Sequence, residues 1–113
     1  MHTQPPGLPG FTVTMTTETV TVKLSGEFDA MGEDALADCL ARVRQARPRR
    51  LVFETAQVTY IDCASARLIV GTGGWLPPGV KPVIARPSPI VRRVLQVSGL
   101  EARCELELGG SGP

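Results

Sequence analysis

Apolar residues alternate with threonines over residues 11–15 and with polar residues again over 20–24, and a polar break at 16–18 separates the two runs. Period-two alternation on both sides of a polar connector predicts a β-hairpin that buries one face. We expect the second strand of this hairpin to end at Gly26, because glycine interrupts strands. A leader over 1–10, rich in proline and glycine, precedes the hairpin and is expected to be flexible.

Helical patterns follow the hairpin at three places. A helix is predicted over 31–46, and its apolar stripe consists of Leu36, Cys39, Leu40 and Val43. A second helix is predicted from Ala64, with an apolar face that includes Leu68 and Ile69. A third is expected to begin after Ser88, because serine followed by proline is typical of a helix start.

Short apolar runs at 51–53 and 83–85 predict strands between these helices, and a turn at 55–57 leads from the first of them to a β-prone run at 58–61. A final alternation of apolar and charged residues over 104–108 predicts an edge strand, which could pair with a second copy of the chain. The element order is therefore β-β-α-β-α-β-α-β. This order predicts an α/β fold in which helices cover a sheet.

Composition indicates one domain and excludes several functions. The chain has 113 residues and a net charge of +1, so no strong basic charge points to nucleic acid. It has neither a membrane-span-length apolar run nor a signal-peptide pattern, so we expect a cytoplasmic protein that does not insert into a membrane. The chain has three cysteines without zinc or disulfide spacing, and its single histidine lies in the leader. We therefore expect no metal, no cofactor and no enzymatic activity.

The junction of strand and helix at residues 60–69 holds the candidate functional side chains. A β-prone run ends at Asp62, and small residues follow before the helical pattern begins. An aspartate at such a junction is expected to accept hydrogen bonds from the free N–H groups of the first helical turn. The side chains that follow it are then held on a rigid platform.

Four segments carry a resemblance to a known family. They are Leu-Ser-Gly-Glu-Phe-Asp at 24–29, Leu-Val-Phe-Glu at 51–54, Val-Thr-Tyr-Ile-Asp at 58–62 and Val-Ser-Gly-Leu at 97–100. In this order they resemble STAS domains, which include sulfate-transporter cytoplasmic domains and bacterial anti-sigma-factor antagonists. The resemblance spans residues 11–108, which we expect to form one STAS-like domain, followed by a flexible tail over 109–113. It implies a small mixed sheet of about five strands packed with three or four α-helices.

The resemblance implies a protein-interaction module. Such an antagonist binds an anti-sigma factor that is also a serine kinase, frees a sigma factor for transcription, and is released when one of its own serines is phosphorylated. That serine follows the aspartate matched here by Asp62, and this chain carries Cys63 instead. The residues expected to bind the partner are Asp29, Asp62, Cys63, Ala64, Ser65 and Arg67.

The departure at Cys63 leaves alternatives open. Ser65 is a candidate for a displaced phosphorylation site, although two residues of helix turn its side chain by about 200° from that of Cys63. Cys63 is a candidate for a reactive thiol at a helix start, or simply a small thiol that fills the serine position. Finally, some stand-alone STAS domains bind the ATPase of a lipid transporter, and this function needs no phosphoserine.

Overall fold

A five-stranded mixed sheet forms the centre of the computed structural model, which describes residues 8–109. The strands lie in the order β1-β2-β3-β4-β5; β1 is antiparallel to β2, and all other neighbours are parallel. Their bounds are Gly10–Met15 (β1), Thr19–Phe28 (β2), Arg50–Ile61 (β3), Val83–Ala85 (β4) and Glu105–Glu107 (β5). The predicted hairpin and the predicted order of elements are confirmed.

Three α-helices connect the parallel strands: Glu33–Gln45 (α1), Cys63–Gly71 (α2) and Pro89–Val97 (α3). Each helix connects one strand to its parallel neighbour, and the strands from β2 to β5 follow one another across the sheet in chain order. Because such crossovers are right-handed, all three helices lie on the same face of the sheet. The third helix starts after Ser88 as predicted. Gly99 follows it with a φ of 70°, a left-handed conformation that suits glycine at the end of a helix. No helix within 8–109 is long and apolar enough to span a membrane.

The hydrophobic core lies between the sheet and the three helices. The strands contribute the side chains of Val20, Val22, Leu24, Phe28, Leu51, Phe53 and Ile84. The helices contribute Leu36, Leu40, Val43, Ala66, Ile69, Val70, Val91, Val94 and Leu95. Phe53 lies on the central strand and is completely buried, so it contacts the middle of this core.

The face of the sheet without helices is polar. Alternation along the paired strands places threonines of β1 and β2, and charged residues such as Lys23, Glu54 and Glu107, on this face. Two exposed ion pairs link groups here, Arg50 to Glu107 at 2.8 Å and Arg86 to Glu54 at 2.9 Å. Such exposed pairs contribute little stability, so the helix side of the sheet carries most of the folding energy.

Two expectations about strand ends were wrong. The second strand does not end at Gly26 but continues to Phe28, because Gly26 adopts a φ of 86° within an irregular stretch of the strand. The predicted turn at 55–57 is part of β3, where the register against β2 shifts between Lys23 and Ser25. The extra residues form a bulge on β3, a feature that resembles a turn in sequence. Gly10, which we had placed in the leader, begins β1.

The predicted flexible leader and tail lie mostly outside the described residues, at 1–7 and 110–113.

Replacing Phe53 with alanine should remove the central contact of the core. We expect a loss of about 3–5 kcal/mol in the free energy of unfolding, since truncation of a buried phenylalanine leaves a cavity. Urea denaturation followed by circular dichroism measures this change. Val97→Ala, at a position that is 68% exposed, is the matched control and should change the free energy by less than about 0.5 kcal/mol. Equal effects of the two substitutions would contradict this description of the core.

Candidate functional site

The parallel strands β2 and β3 end side by side, and an aspartate follows each of them. Phe28 pairs with Ile61 in the last register position of the two strands. The amide of Asp62 then donates a hydrogen bond of 2.9 Å to the carbonyl oxygen of Phe28. Asp29 and Asp62 therefore both lie at the carboxyl ends of adjacent strands, as expected for two residues of one surface.

Asp62 caps the second helix. Its backbone is extended, and its Oδ1 accepts a hydrogen bond of 2.8 Å from the amide of Ser65. A side-chain oxygen in this position satisfies one of the N–H groups that a helix start leaves without an intrahelical partner. The predicted capping role of Asp62 is confirmed.

Asp29 has a similar role that the sequence interpretation missed. Its Oδ1 accepts a hydrogen bond of 3.0 Å from the amide of Met31, at the start of a single 3-10 turn over Ala30–Gly32. An aspartate that bonds the amide two residues later forms an Asx turn, and this tendency of aspartate was the available signal. Both aspartates thus fix the chain as it leaves the sheet.

The start of α2 presents some side chains to solvent and buries others. Cys63, Ala64 and Arg67 are exposed, whereas the buried residues of this helix are Ser65, Ala66, Ile69 and Val70. The expected apolar face was therefore wrong for Ala64, and Leu68 is only half-buried. The apolar residues of this short helix occur on most of its sides. Its sequence alone therefore could not identify the side that packs on the sheet.

Ser65 is completely buried, with 0% of its surface exposed. Its hydroxyl has no hydrogen-bond partner within the described residues, while its amide contacts Asp62. A kinase cannot reach this hydroxyl in the folded conformation, which argues against Ser65 as a displaced phosphorylation site. The opposite orientations of Cys63 and Ser65 agree with the expected rotation between them.

The three thiols differ in their surroundings. Cys63 is exposed, Cys39 is half-buried, and Cys104 is buried. Burial raises the pKa of the Cys104 thiol, and the nearby Glu101 carboxylate raises it further. Burial also raises the pKa of Cys39, against an opposing effect of the Arg42 charge. Cys104 thus belongs to the core as expected, whereas Cys39 lies at its edge.

The groups around the two strand ends form one candidate binding surface, in which the two aspartates are half-buried and the other side chains are exposed. We call it the junction surface, and its residues are Asp29, Met31, Asp62, Cys63, Ala64 and Arg67. Met31 is 94% exposed, which is unusual for a large apolar side chain, and the sequence interpretation had not identified it. Arg67 forms no ion pair with any described residue. An exposed apolar side chain, a cation without an ion pair and two carboxylates at adjacent strand ends suit recognition of a protein partner.

The described part of the chain contains no cluster of three or more histidine, cysteine or acidic side chains that could hold a metal ion.

A family model and several solved structures match this chain. The family model described as "Mlab, STAS domain" matches residues 11–108. No curated protein sequence gives a significant match.

Solved structures with this fold include anti-sigma factor antagonists. The unphosphorylated form of the anti-sigma factor antagonist SpoIIAA is 27% identical, with a TM-score of 0.72 over 86% of this chain and 87% of that one. The phosphorylated form of SpoIIAA, a Bacillus cell fate determinant, is 25% identical, with a TM-score of 0.65 over 86% and 90% of the two chains. An antagonist from Mycobacterium paratuberculosis has a TM-score of 0.82 at 21% identity, over 93% and 90%, and this likeness concerns the fold alone.

Removal of the Asp62 cap should destabilise the junction. We expect Asp62→Ala to lower the free energy of unfolding by about 1 kcal/mol, because the amide of Ser65 loses its acceptor. Asp62→Asn is the matched control: it keeps a capping oxygen without the charge and should retain most of the stability. Chemical denaturation of the three proteins measures the difference. An alanine variant as stable as the asparagine variant would show that capping contributes nothing here.

The thiols should react at different rates. At neutral pH we expect iodoacetamide to modify Cys63 at least about tenfold faster than Cys104, because burial limits access to Cys104 and its raised pKa reduces the thiolate. Peptide mass spectrometry over a time course measures the three rates separately. Faster modification of Cys104 in the folded protein would contradict the burial described above.

Proposed function

The chain belongs to the STAS domain family, and we propose that it acts as an anti-sigma factor antagonist, binding an anti-sigma factor through the junction surface. Occupation of the anti-sigma factor would free a sigma factor for transcription. The observation that carries this proposal is that Asp29 and Asp62 lie at adjacent strand ends and that each accepts a hydrogen bond from the segment that follows it. Those two segments expose Met31 and Arg67. The fold shared with SpoIIAA supports it.

The junction surface is suited to binding because it is already ordered. Two side-chain hydrogen bonds, from the amides of Met31 and Ser65, hold its two segments against the sheet. A surface that is fixed before association loses less conformational entropy when a partner binds. Arg67 offers an unpaired cation to a carboxylate of the partner, and Met31 offers apolar area.

Regulation must differ from that of a serine-bearing antagonist. In our proposal, which rests on the family resemblance, the phosphoacceptor position directly follows Asp62, and this chain has an exposed thiol there. A phosphate at that point would add about two negative charges beside the carboxylates of Asp29 and Asp62. Cys63 has no hydroxyl to accept it, and Ser65 is buried. We propose that the amount of the protein, not its phosphorylation, sets how much anti-sigma factor is occupied.

A second candidate partner is the ATPase of a lipid transporter. The same observation at Cys63 favours it, because a subunit that binds a transporter ATPase needs no phosphoacceptor in its interface. The partner would occupy the same junction surface. The two candidates differ in the identity of the bound protein and in the readout, which is transcription for one and transport for the other.

Affinity capture distinguishes these partners. The tagged chain is used to capture proteins from a lysate of its source cell, and mass spectrometry identifies them. Recovery of an anti-sigma factor supports the proposal, and recovery of a transporter ATPase supports the second candidate. The control bait is Arg67→Glu, which reverses the free charge of the junction surface. A partner that binds wild type and this variant equally well would contradict the proposed site.

A negative charge at position 63 should weaken binding of the partner. We expect Cys63→Glu to weaken binding of the captured partner by about tenfold or more, because it adds a negative charge next to Asp62 within the proposed interface. Cys63→Gln is the matched neutral control and should bind within about threefold of wild type. Isothermal titration calorimetry measures both affinities. Equal weakening by Glu and Gln would show that size, and not charge, matters at this position.

Cys63→Ser restores a hydroxyl at the family's acceptor position. If the captured partner is an anti-sigma factor with serine kinase activity, we expect it to phosphorylate this variant and to leave the wild type unmodified. Intact-mass spectrometry after incubation with ATP detects the added phosphate. Failure of a catalytically active, bound kinase to modify the variant would contradict the assignment of Cys63 to the acceptor position.

A further inference from the structure

The first strand forms an open edge of the sheet. β1 pairs with β2 and with no other described strand. The hairpin hydrogen bond from the amide of Thr16 to the carbonyl of Thr19 sets which residues of β1 bond to β2. Because these residues alternate in an antiparallel pair, the backbone groups of Phe11, Val13 and Met15 point toward the open edge.

The side chains of these same three residues lie on the helix side of the sheet. Together with α1 they line an open, mainly apolar groove of about 540 Å³. Phe11 is partly covered, since its ring packs edge-to-face on Phe28 with 5.6 Å between centroids. Val13 and Met15 lack such cover and are 44% and 63% exposed. The edge therefore exposes both backbone hydrogen-bonding groups and apolar side chains within residues 8–109.

We propose that a second copy of this chain occupies this edge, with the two β1 strands antiparallel and Val13 opposite Val13 of the second copy. Phe11 then lies opposite Met15 of the second copy. All three pairs bring together residues whose backbone groups face the edge, so about six hydrogen bonds form. Opposed residues in an antiparallel pair share a face, so every apolar side chain of one strand meets an apolar side chain of the other.

Charge favours this edge over the opposite one. No charged residue occurs from 10 to 17, so nothing in β1 repels its symmetry mate. On α1, Asp38 and Arg42 line the groove, and the two-fold axis runs the second α1 antiparallel to the first. In this arrangement Asp38 of one copy faces Arg42 of the other. The interface is thus self-complementary in hydrogen bonding, apolar contact and charge.

The predicted edge at 104–108 is less suited to self-pairing. β5 has three residues, and Glu105 and Glu107 flank its centre. Antiparallel pairing about Leu106 would place Glu105 opposite Glu107 of the second copy, and directly opposed like charges destabilise a pair of strands. Glu107 is also engaged by Arg50 at 2.8 Å. Charges of this kind protect a sheet edge from pairing, whereas β1 has no such protection.

The paired strands would create one continuous sheet from two copies. Because the two β1 strands run in opposite directions, the ends of β2 and β3 in the two copies point to opposite ends of the dimer. Both junction surfaces remain open, so each dimer could engage two partners. The dimer interface and the junction surface share no residue, and the dimer proposal therefore does not rest on the proposed function.

Sedimentation velocity of the full chain from about 10 μM to 1 mM tests the proposal, because a single added strand pair gives a weak, concentration-dependent dimer. We expect wild type to show a dimer and Val13→Lys to weaken it by about tenfold or more, since two lysines would face each other at the centre. Gln96→Lys adds the same charge on the exposed side of α3 and should dimerise like wild type. A wild type that stays monomeric throughout would overturn the proposal, and so would a Val13→Lys variant that dimerises as strongly as wild type.

Disulfide trapping provides a second measurement that does not depend on the lysine variant folding. Cys39→Ala and Cys63→Ser first remove the two accessible native thiols. Val13→Cys should then cross-link two copies on mild oxidation, since opposed residues of a hydrogen-bonded pair have Cα atoms about 5.5 Å apart. Thr14→Cys, which would lie opposite Thr12, is the register control and should cross-link much more slowly. Cross-linking of the control at the same rate as Val13→Cys would contradict the proposed register.

Discussion

The pairing of the carboxyl ends of β2 and β3 is the constraint on which the candidate site depends. Phe28 and Ile61 are buried opposite each other, and the hydrogen bond between the amide of Asp62 and the carbonyl of Phe28 extends their pairing by one residue. The core fixes where both strands stop. Two acidic residues therefore leave the sheet at adjacent points, and each bonds the amide that begins the next segment. The geometry of the candidate surface thus depends on contacts at the edge of the hydrophobic core.

Much of this arrangement could be predicted from the sequence, because local patterns decided it. The alternation in the hairpin, the cap at Asp62 and the stop at Gly99 each depend on neighbours a few residues away. The long β3 strand could not be predicted, because Thr-Ala-Gln at 55–57 interrupts the apolar runs and resembles a turn until the pairing with β2 is known. The buried side of α2 also depends on distant residues, and this is why the sequence predicts Ala64 on the apolar face and Ser65 among the partner-binding residues, although Ala64 is exposed and Ser65 is buried.

The chain has the fold of its family, and the proposed regulation depends on the chemistry of one position. Cys63 is exposed at the start of a capped helix, and the proposal takes this position as that of the serine in a regulated antagonist. The nearest hydroxyl on the same helix, that of Ser65, faces the core instead. Under the proposed function, the protein has a binding surface and lacks the modification that would switch it. Association would then follow from concentration alone, and a dimer with two open surfaces would offer two such sites per particle.

The most direct test of this account is a map of the surface that the captured partner covers. Backbone amide chemical shifts of the isotope-labelled chain are recorded with and without the unlabelled partner. The account predicts that the amides of 29–31 and 62–67 shift most, because they surround the two strand ends. Shifts confined to the opposite end of the sheet, near Val80 and Arg103, would contradict the central claim that the junction surface binds the partner.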